Sequence, residues 1–582
     1  MTGSRSAGRW PAVTPAASRR VPLSATVFIV VSLISCVPPS PAPAPTPAPT
    51  VALVSSSVAS RVVLLSFDGL GADALALQKD LPAFERLARE GASARVINVD
   101  PTLTIPTHVA MLTGAAPDRT GIVANRFHVP GTAPELIARG MQMDSDVETL
   151  VETARRQGKR VGTLTFPTID NRTARRTSDF GMAWPDAATA AEIVELTRAD
   201  FRREWVPPTW TTPPQRRTSF SPIMRARLEW RVPSVLRTDV DVVAYDTTDD
   251  RVENYDRYAV ESGDEDVPVD ARGWFAISRN AGDALYGSWS KFLHAEPALG
   301  VTIYRGAVAR NEAWPASFRD ALDAEAGFWP GSPDDATGVD PATFTEQVER
   351  MAAFYGHAQA LAMARMPFDL LLVYQPQIDQ SLHAWLGKPE GEAVIRAAFV
   401  SADRAVGAIA ESLLPGDALI VTGDHGLVVA QREVRMNQLL AERGFAPRWR
   451  SYSSGSVAHL YRFPEADDAD AGALIAMLSA TGQFERVEKK AAEAHRNSGD
   501  VIAWGWPDVA LSSDDREPAG PAIGPATPHG QHGALTSHRE MHPPLFALGA
   551  GIPPGPAGEI AQTRIARIVT TLLGIAPPDH AD

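Results

Sequence analysis

The chain has 582 residues, a net charge of −14, 21% charged residues and 44% hydrophobic ones. That length leaves room for more than one domain, or for one large domain with insertions, and the composition supports a packed core. The acidic balance argues against a general nucleic-acid binder, because phosphate backbones reward clustered lysine and arginine. It does not exclude a small anionic substrate, since bound metal ions reverse the sign of a local site.

Residues 1–36 hold four arginines (Arg5, Arg9, Arg19, Arg20) and no acid. An apolar run at 21–34 follows Arg20, too short and too soon met by prolines for an ordinary spanning helix. Leu33-Ile34-Ser35-Cys36 resembles a bacterial lipobox, in which the cysteine is lipidated after cleavage. A plain secretory signal or an uncleaved anchor with an incidental cysteine is the alternative. Ser18-Arg19-Arg20 also resembles part of a twin-arginine export signal, although Pro22 stands where an aromatic residue is usual. Cys36 is the only cysteine, so the mature chain has no internal disulfide. Residues 37–50, VPPSPAPAPTPAPT, contain seven prolines and favour an extended, semi-rigid spacer. The expectation is a lipoprotein-type signal peptide at 1–36, a Pro-rich linker at 37–59 and a catalytic body at 60–582. Such a protein is exported to the bacterial cell envelope, tethered to a membrane through Cys36, and faces the periplasm or the cell surface.

Residues 62–65 (VVLL) read as a buried parallel strand, which runs into SFDGLG with Asp68 just past its end. In open α/β sheets that edge is where ligands bind, although a turn aspartate beside a glycine looks the same in isolation. The layout recurs. Residues 368–373 (FDLLLV) lead to Asp379 and His383, and residues 417–421 (DALIV) lead to Asp424 and His425. Apolar residues at helical spacing occupy 343–365 and 392–414. This alternation predicts a mostly parallel sheet with both faces covered by helices. A further strand is expected at 161–166.

Asp379 and His383 are four apart and share a face if their segment is helical. His532 lies in GQHG late in the chain. Asp68, Asp379, His383, Asp424, His425 and His532 together supply three carboxylates and three imidazoles, a donor set suited to zinc and related divalent ions.

These motifs, in this order, resemble the nucleotide pyrophosphatase/phosphodiesterase branch of the alkaline phosphatase superfamily. SFDG is similar to the family's first metal motif, PTLTIPTH (residues 101–108) to its nucleophile motif, IDQSLH and DHG to its later ligand motifs, and GQHG to its last histidine motif. Residues 565–578, IARIVTTLLGIAPP, resemble its closing helix and loop. The resemblance covers 60–582 discontinuously. It implies an alkaline-phosphatase-like sandwich: a central, mostly parallel β-sheet covered by helices, plus a large insertion. It further implies two zinc ions. One is held by Asp68, Asp424 and His425 and activates Thr104; the other is held by Asp379, His383 and His532. Thr104 becomes the nucleophile that forms a phospho-threonine, and Asn125 holds a phosphoryl oxygen together with a backbone amide. Thr102 and Thr107 become bystanders, and Asp118 a turn residue.

The chain departs from the family pattern at Ile378 and Leu382, where proline and glycine are usual, and at Leu70-Gly71, where an aromatic residue and arginine are common. His538 and His542, in HREMH, do not match a metalloprotease motif and read as surface or supporting histidines. Asn125 and Asp379 are 254 residues apart, more than the core alternation requires. The intervening prolines, tryptophans and acidic clusters predict an inserted cap or substrate region at about 180–340, with loops and short strands. The acidic run 246–256 reads as a solvated surface.

The expected activity is hydrolysis of phosphodiester or nucleotide pyrophosphate bonds in small substrates, with no stable nucleic-acid partner. A phosphomonoesterase of the same superfamily is the alternative, with Arg172, Arg175 or Arg176 as candidate extra cations. A sulfatase is disfavoured, because no cysteine remains beyond Cys36. A non-catalytic, lipid-anchored binding protein is disfavoured by the retained Thr104 and six ligands.

Overall fold

Each central strand is apolar on both faces, because each is covered on both. In the computed structural model, β1 (Val62–Phe67) is fully buried, and its residues alternate between two apolar layers. Val63, Leu65 and Phe67 point into one layer, and Val62 and Leu64 into the other. The structure describes residues 53–54, 58–133, 136–203, 219–262, 265–269, 273–282, 284–333, 338–464, 466–513 and 520–581. The targeting segment, Cys36, the proline-rich stretch at 37–50 and WVPPTWTTPPQRR lie outside them. Among the described residues no helix is long and apolar enough to cross a membrane.

After β1 come α1 (Pro82–Glu90), β2 (Ala92–Ile97), α2 (Thr104–Thr113), α3 (Leu150–Arg156), β3 (Val161–Leu164) and β4 (Phe180–Ala183). Then follow β5 (Glu312–Trp314), α4 (Pro341–Arg365), β6 (Leu370–Gln375), α5 (Gln377–Trp385), α6 (Gly391–Ser412) and β7 (Ala418–Gly423). The chain closes with β8 (Pro544–Gly549), β9 (Gly555–Ala561) and α7 (Arg564–Leu573). The nine strands form one sheet in the order β5-β4-β3-β6-β1-β7-β8-β2-β9. From β4 to β7 every pairing is parallel, whereas β5 and β8 run antiparallel to their neighbours. One face of this sheet packs against α1, α4, α5 and α6, the other against α2, α3 and α7. That is the covered parallel sheet predicted from the strand and helix alternation.

Local sequence sets the helix limits. Pro341 occupies the first turn of α4, and Asp340 caps it by accepting from Thr343 N at 3.0 Å. Thr149 and Glu152 form a capping box on α3. Helix α2 is apolar nearly all round and buried from Ile105 to Thr113, and it stops at Gly114, whose φ of 68° suits glycine.

Between β4 and β5 lie two five-stranded sheets with an apolar cluster of their own, which includes Trp230, Val242, Phe275, Phe292 and Ile303. Their strands are longer than the short ones expected from the proline and acidic clusters. Met224–Val232 has nine residues, Leu236–Tyr245 ten and Ala284–Glu296 thirteen. MRARLEWRV alternates buried and less buried positions along its length, a period-2 pattern that the prolines and charges on either side obscured. Within the acidic run, Asp246 is buried and accepts from Ser221 Oγ at 2.6 Å, while Asp249, Asp250, Glu253 and Asp256 face solvent.

These sheets are fastened to α4. The Arg350 guanidinium lies 3.8 Å from the Trp289 ring centre and 4.4 Å from that of Trp274. Lys291 Nζ donates to Thr343 Oγ1 at 3.0 Å and pairs with Glu346 at 2.5 Å. Arg350→Ala is expected to weaken this seam by about 1–2 kcal/mol. Hydrogen exchange should then quicken by about tenfold in 274–296, while β1, β6 and β7 keep their protection.

Candidate metal centre

The central sheet order explains how four distant loops meet. Strand β1 lies between β6 and β7, with Phe67 level with Gln375 on one side and Gly423 on the other. Asp68 and Asp424 each follow directly on those paired ends. Asp379 enters from the first turn of α5, just beyond β6. Two backbone bonds fix the approach: Asp68 N donates to Gln375 O at 2.9 Å, and Asp379 N donates to Asp68 O at 3.0 Å. Gly69 makes this possible. Its φ is 72°, and a Cβ there would stand 2.8 Å from Asp379 Cα and 2.9 Å from Leu427 Cδ1.

Two trios result. Asp68, Asp424 and His425 present ligand atoms within 4.8 Å of one another, and so do Asp379, His383 and His532. All six are buried except His383, which is partly so. His425 Nε2 lies 3.4 Å from Asp68 Oδ1 and 3.2 Å from Asp424 Oδ2, and His383 Nε2 lies 3.3 Å from Asp379 Oδ1. The His425 and His532 rings stack at 3.7 Å, so the trios adjoin. His383 Nδ1 bonds Gly530 O at 2.7 Å, and His532 Nδ1 bonds Thr102 O at 3.0 Å. Each backbone carbonyl fixes the protonated nitrogen and leaves Nε2 with its lone pair for the site.

The donor chemistry fits divalent metal. Asp68 Oδ1, Asp379 Oδ1 and Asp424 Oδ2 are buried with no hydrogen-bond partner. Burial, and then the neighbouring carboxylates, raise the pKa values of Asp68 and Asp424. Burial opposes the charge on Asp379 too, but His383 and then His532 beside it together hold that carboxyl below its ordinary value. Burial, with the facing imidazoles, lowers His425 and His532, keeping both rings in the neutral form that binds metal. Uncompensated buried carboxylates beside neutral imidazoles are what a cation would satisfy.

Thr104 opens α2 at this cluster, with Oγ1 at 3.3 Å from His425 Nε2. Asn125 stands beside it: Ile105 N donates to Asn125 Oδ1 at 3.0 Å, and Gly140 N donates to Asn125 O at 2.9 Å. Thus every residue named from the motifs lies in one place. The bystander hydroxyls are engaged elsewhere. Thr102 Oγ1 donates to Ala534 O, Thr107 Oγ1 donates to Leu103 O, and Asp118 is exposed in the short helix Pro117–Thr120. His538 bonds Glu485 and His542 bonds Thr536 O. The departures at Ile378, Leu382 and Leu70 are accommodated because all three side chains are buried in the apolar layer against the sheet.

Four supporting side chains were not singled out from the sequence. The buried His108 bonds Thr104 O at 2.7 Å and Ser66 Oγ at 2.9 Å. Asn98 Nδ2 and Gln562 Nε2 both donate to Asp424 O. Tyr374 Oη donates to Asp68 Oδ2 at 2.5 Å. A tyrosine within the aliphatic strand LLLVYQ was the available signal, because a buried phenol needs a partner.

This arrangement defines a class: an α/β scaffold with paired carboxylate–imidazole trios at the carboxyl edge of its sheet and a hydroxyl between helix and trio. The chain matches the family described as type I phosphodiesterase / nucleotide pyrophosphatase over residues 62–219 and 286–535, and it belongs to that family of hydrolases. The interruption at 220–285 falls within the two inserted sheets. The mouse (Mus musculus) bis(5′-adenosyl)-triphosphatase enpp4 is 41% identical over 75 residues, 13% of this chain and 16% of that protein, so the match spans a small part of that relative. Human ectonucleotide pyrophosphatase/phosphodiesterase 5 superposes with a TM-score of 0.50 at 14% identity, covering 89% of this chain and 96% of that one. Its murine counterpart gives 0.48 at the same identity and coverage. The likeness to the human protein shows a shared fold.

Truncating the His532 imidazole removes one ligand of its trio and leaves Asp379 and His383. His532→Ala is expected to lower the divalent-metal content of the protein with the fold intact. Elemental analysis and circular dichroism of the dialysed protein check this, and unchanged metal content would refute the assignment.

Proposed function

We propose that this protein hydrolyses phosphodiester or nucleotide pyrophosphate bonds through a phospho-threonine at Thr104. Two divalent ions, zinc by donor type, would be held by Asp68, Asp424 and His425 and by Asp379, His383 and His532. The observation that carries the reading is the Thr104 hydroxyl 3.3 Å from His425 Nε2, at the edge of two buried trios with partnerless carboxylate oxygens. Bound there, divalent ions supply the charge that lets an alcohol and a water attack at neutral pH and that offsets charge on the phosphoryl group.

The residues divide the remaining work. Thr104 Oγ attacks phosphorus, a new P–O bond forms to the threonine, and the bond to the departing alcohol or nucleotide breaks. Water then cleaves the phospho-threonine and restores the hydroxyl. Asn125 spends its Oδ1 on Ile105 N, which leaves its Nδ2 group to donate to a non-bridging oxygen. Pro106 has no N–H, so the start of α2 offers fewer donors than an ordinary helix N-terminus, and the side-chain amide takes on more of that role.

Charge favours a diester. A monoester carries about two negative charges near neutral pH and a diester about one, so a monoesterase gains from extra cations at the phosphate. The three arginines considered for that role are paired elsewhere: Arg172 with Asp186, Arg175 with Glu152 and Arg176 with Asp170. The name of the mouse relative, a bis(5′-adenosyl)-triphosphatase, points to a nucleotide anhydride as well.

Thr104→Ala is expected to keep its metal and lose nearly all turnover, because it removes the attacking oxygen and no carboxylate or imidazole. In the parent, kcat/KM should rank bis(4-nitrophenyl) phosphate and a nucleotide pyrophosphate above 4-nitrophenyl phosphate. A monoester advantage of about a hundredfold, equivalent to about 2.7 kcal/mol, would assign a phosphomonoesterase instead.

We also propose that the protein is exported and membrane-tethered through Cys36. The support is the order of arginines, apolar run, Leu33–Cys36 and proline spacer. Cys36→Ala should leave catalysis intact and move the protein from the membrane to the soluble fraction.

A further inference from the structure

We propose that Tyr374 is a positioning residue for Asp68: its phenol holds Asp68 Oδ2 and thereby aims Oδ1 into the trio with Asp424 and His425. The inference rests on the reading of that trio as a divalent-metal site.

The geometry is specific. Tyr374 is the second-last residue of β6 and sits level with Ser66 of β1, two residues before Asp68. From there the ring runs forward along the sheet, and Oη meets Asp68 Oδ2 at 2.5 Å. The carboxylate is thus divided. Oδ2 has a donor, whereas Oδ1 is buried without one and lies 3.4 Å from His425 Nε2. A carboxylate anchored by one oxygen has its rotation about the Cβ–Cγ bond fixed, so the other oxygen is presented in one direction. A neutral donor does this without cancelling the negative charge that a cation is to meet, which an arginine or lysine in its place would do.

The tyrosine is itself held. Its ring and that of His108 meet in a T-shaped contact, 5.3 Å between centres with planes 76° apart. Its carbonyl accepts from Thr165 Oγ1 at 3.1 Å, and the same hydroxyl bonds Tyr355 Oη at 2.9 Å. Thr165 has a φ of 50°, a left-handed conformation that a β-branched residue rarely adopts. That strain persists only where the surroundings fix it, and these surroundings hold a tyrosine against a prospective ligand.

A packing role and a positioning role differ in one atom. Phenylalanine fills the same space and keeps the His108 contact, but it cannot hold Asp68 Oδ2. Zinc binding to the full chain would be measured by competition with a chromophoric chelator. Cobalt loading would be followed alongside through its visible absorption, and folding by circular dichroism. Tyr374→Phe is expected to weaken one class of bound metal about 10–100-fold, the usual effect of removing a partner of a ligand, and to change the cobalt band of that class. The class that depends on His532 should keep parental affinity. Tyr461→Phe, which removes a buried hydroxyl bonded to Asn497 O, should leave both classes unchanged. Parental affinity in Tyr374→Phe would overturn the inference. So would an equal loss in Tyr461→Phe, which would mark a general loosening. Asp424→Asn separates the two levels. If it loses one metal while Tyr374→Phe loses none, only the positioning role fails. If it retains all metal, the metal reading fails and the inference with it.

Discussion

Three buried carboxylates at the ends of adjacent strands set the conditions for everything around them. Asp68 and Asp424 directly follow β1 and β7, and Asp379 comes from the first turn of α5 beyond β6; because β6, β1 and β7 are neighbours in register, the three acids meet at one edge. Left alone, that concentration of charge in a buried place opposes folding. The fold meets it with neutral imidazoles, a phenol and backbone N–H groups, and it leaves three carboxylate oxygens without a partner. A scaffold that tolerates such a cluster must be strongly held elsewhere. The fully buried strands and the helices on both faces provide that hold.

Much of this was readable in the amino-acid order. The apolar runs before Asp68, Asp379 and Asp424 marked strands, because strands covered on both faces need no alternation. Helical spacing marked α4 and α6 to within two residues at each end. The ordered motifs named the six ligand candidates, Thr104 and Asn125. Spacing alone could not bring them together, since that depends on β1 lying between β6 and β7, a property of strand order. Groups that act through a neighbour were also silent. His108 and Tyr374 look like core residues, and their hydrogen bonds reach across 42 and 306 positions of chain.

The inserted sheets were misjudged for a different reason. Prolines, tryptophans and acids are turn and surface signals, and they flank strands whose own alternation is regular. Asp246 shows the same difficulty in one residue. It belongs to an acidic run yet is buried, because Ser221 and Thr248 satisfy its carboxylate. The seam at Arg350 and Lys291 joins these sheets to α4, and α4 packs in turn on the layer that contains Phe67, Val373 and Ile378. The part of the chain that departs most from the family match is therefore mounted on the same apolar layer as the catalytic sheet.

The peptide bond contact beneath Gly69 has a wider consequence. Because Asp379 N bonds Asp68 O and no side chain fits between them, the separation of the two trios is set by main chain against main chain. Rotamer changes cannot stretch it, and neither can most substitutions nearby. On the proposed two-metal reading, the spacing is a fixed gauge for one phosphorus atom. On that reading, a change of substrate falls to the side chains and loops around the trios and leaves the distance between the trios alone.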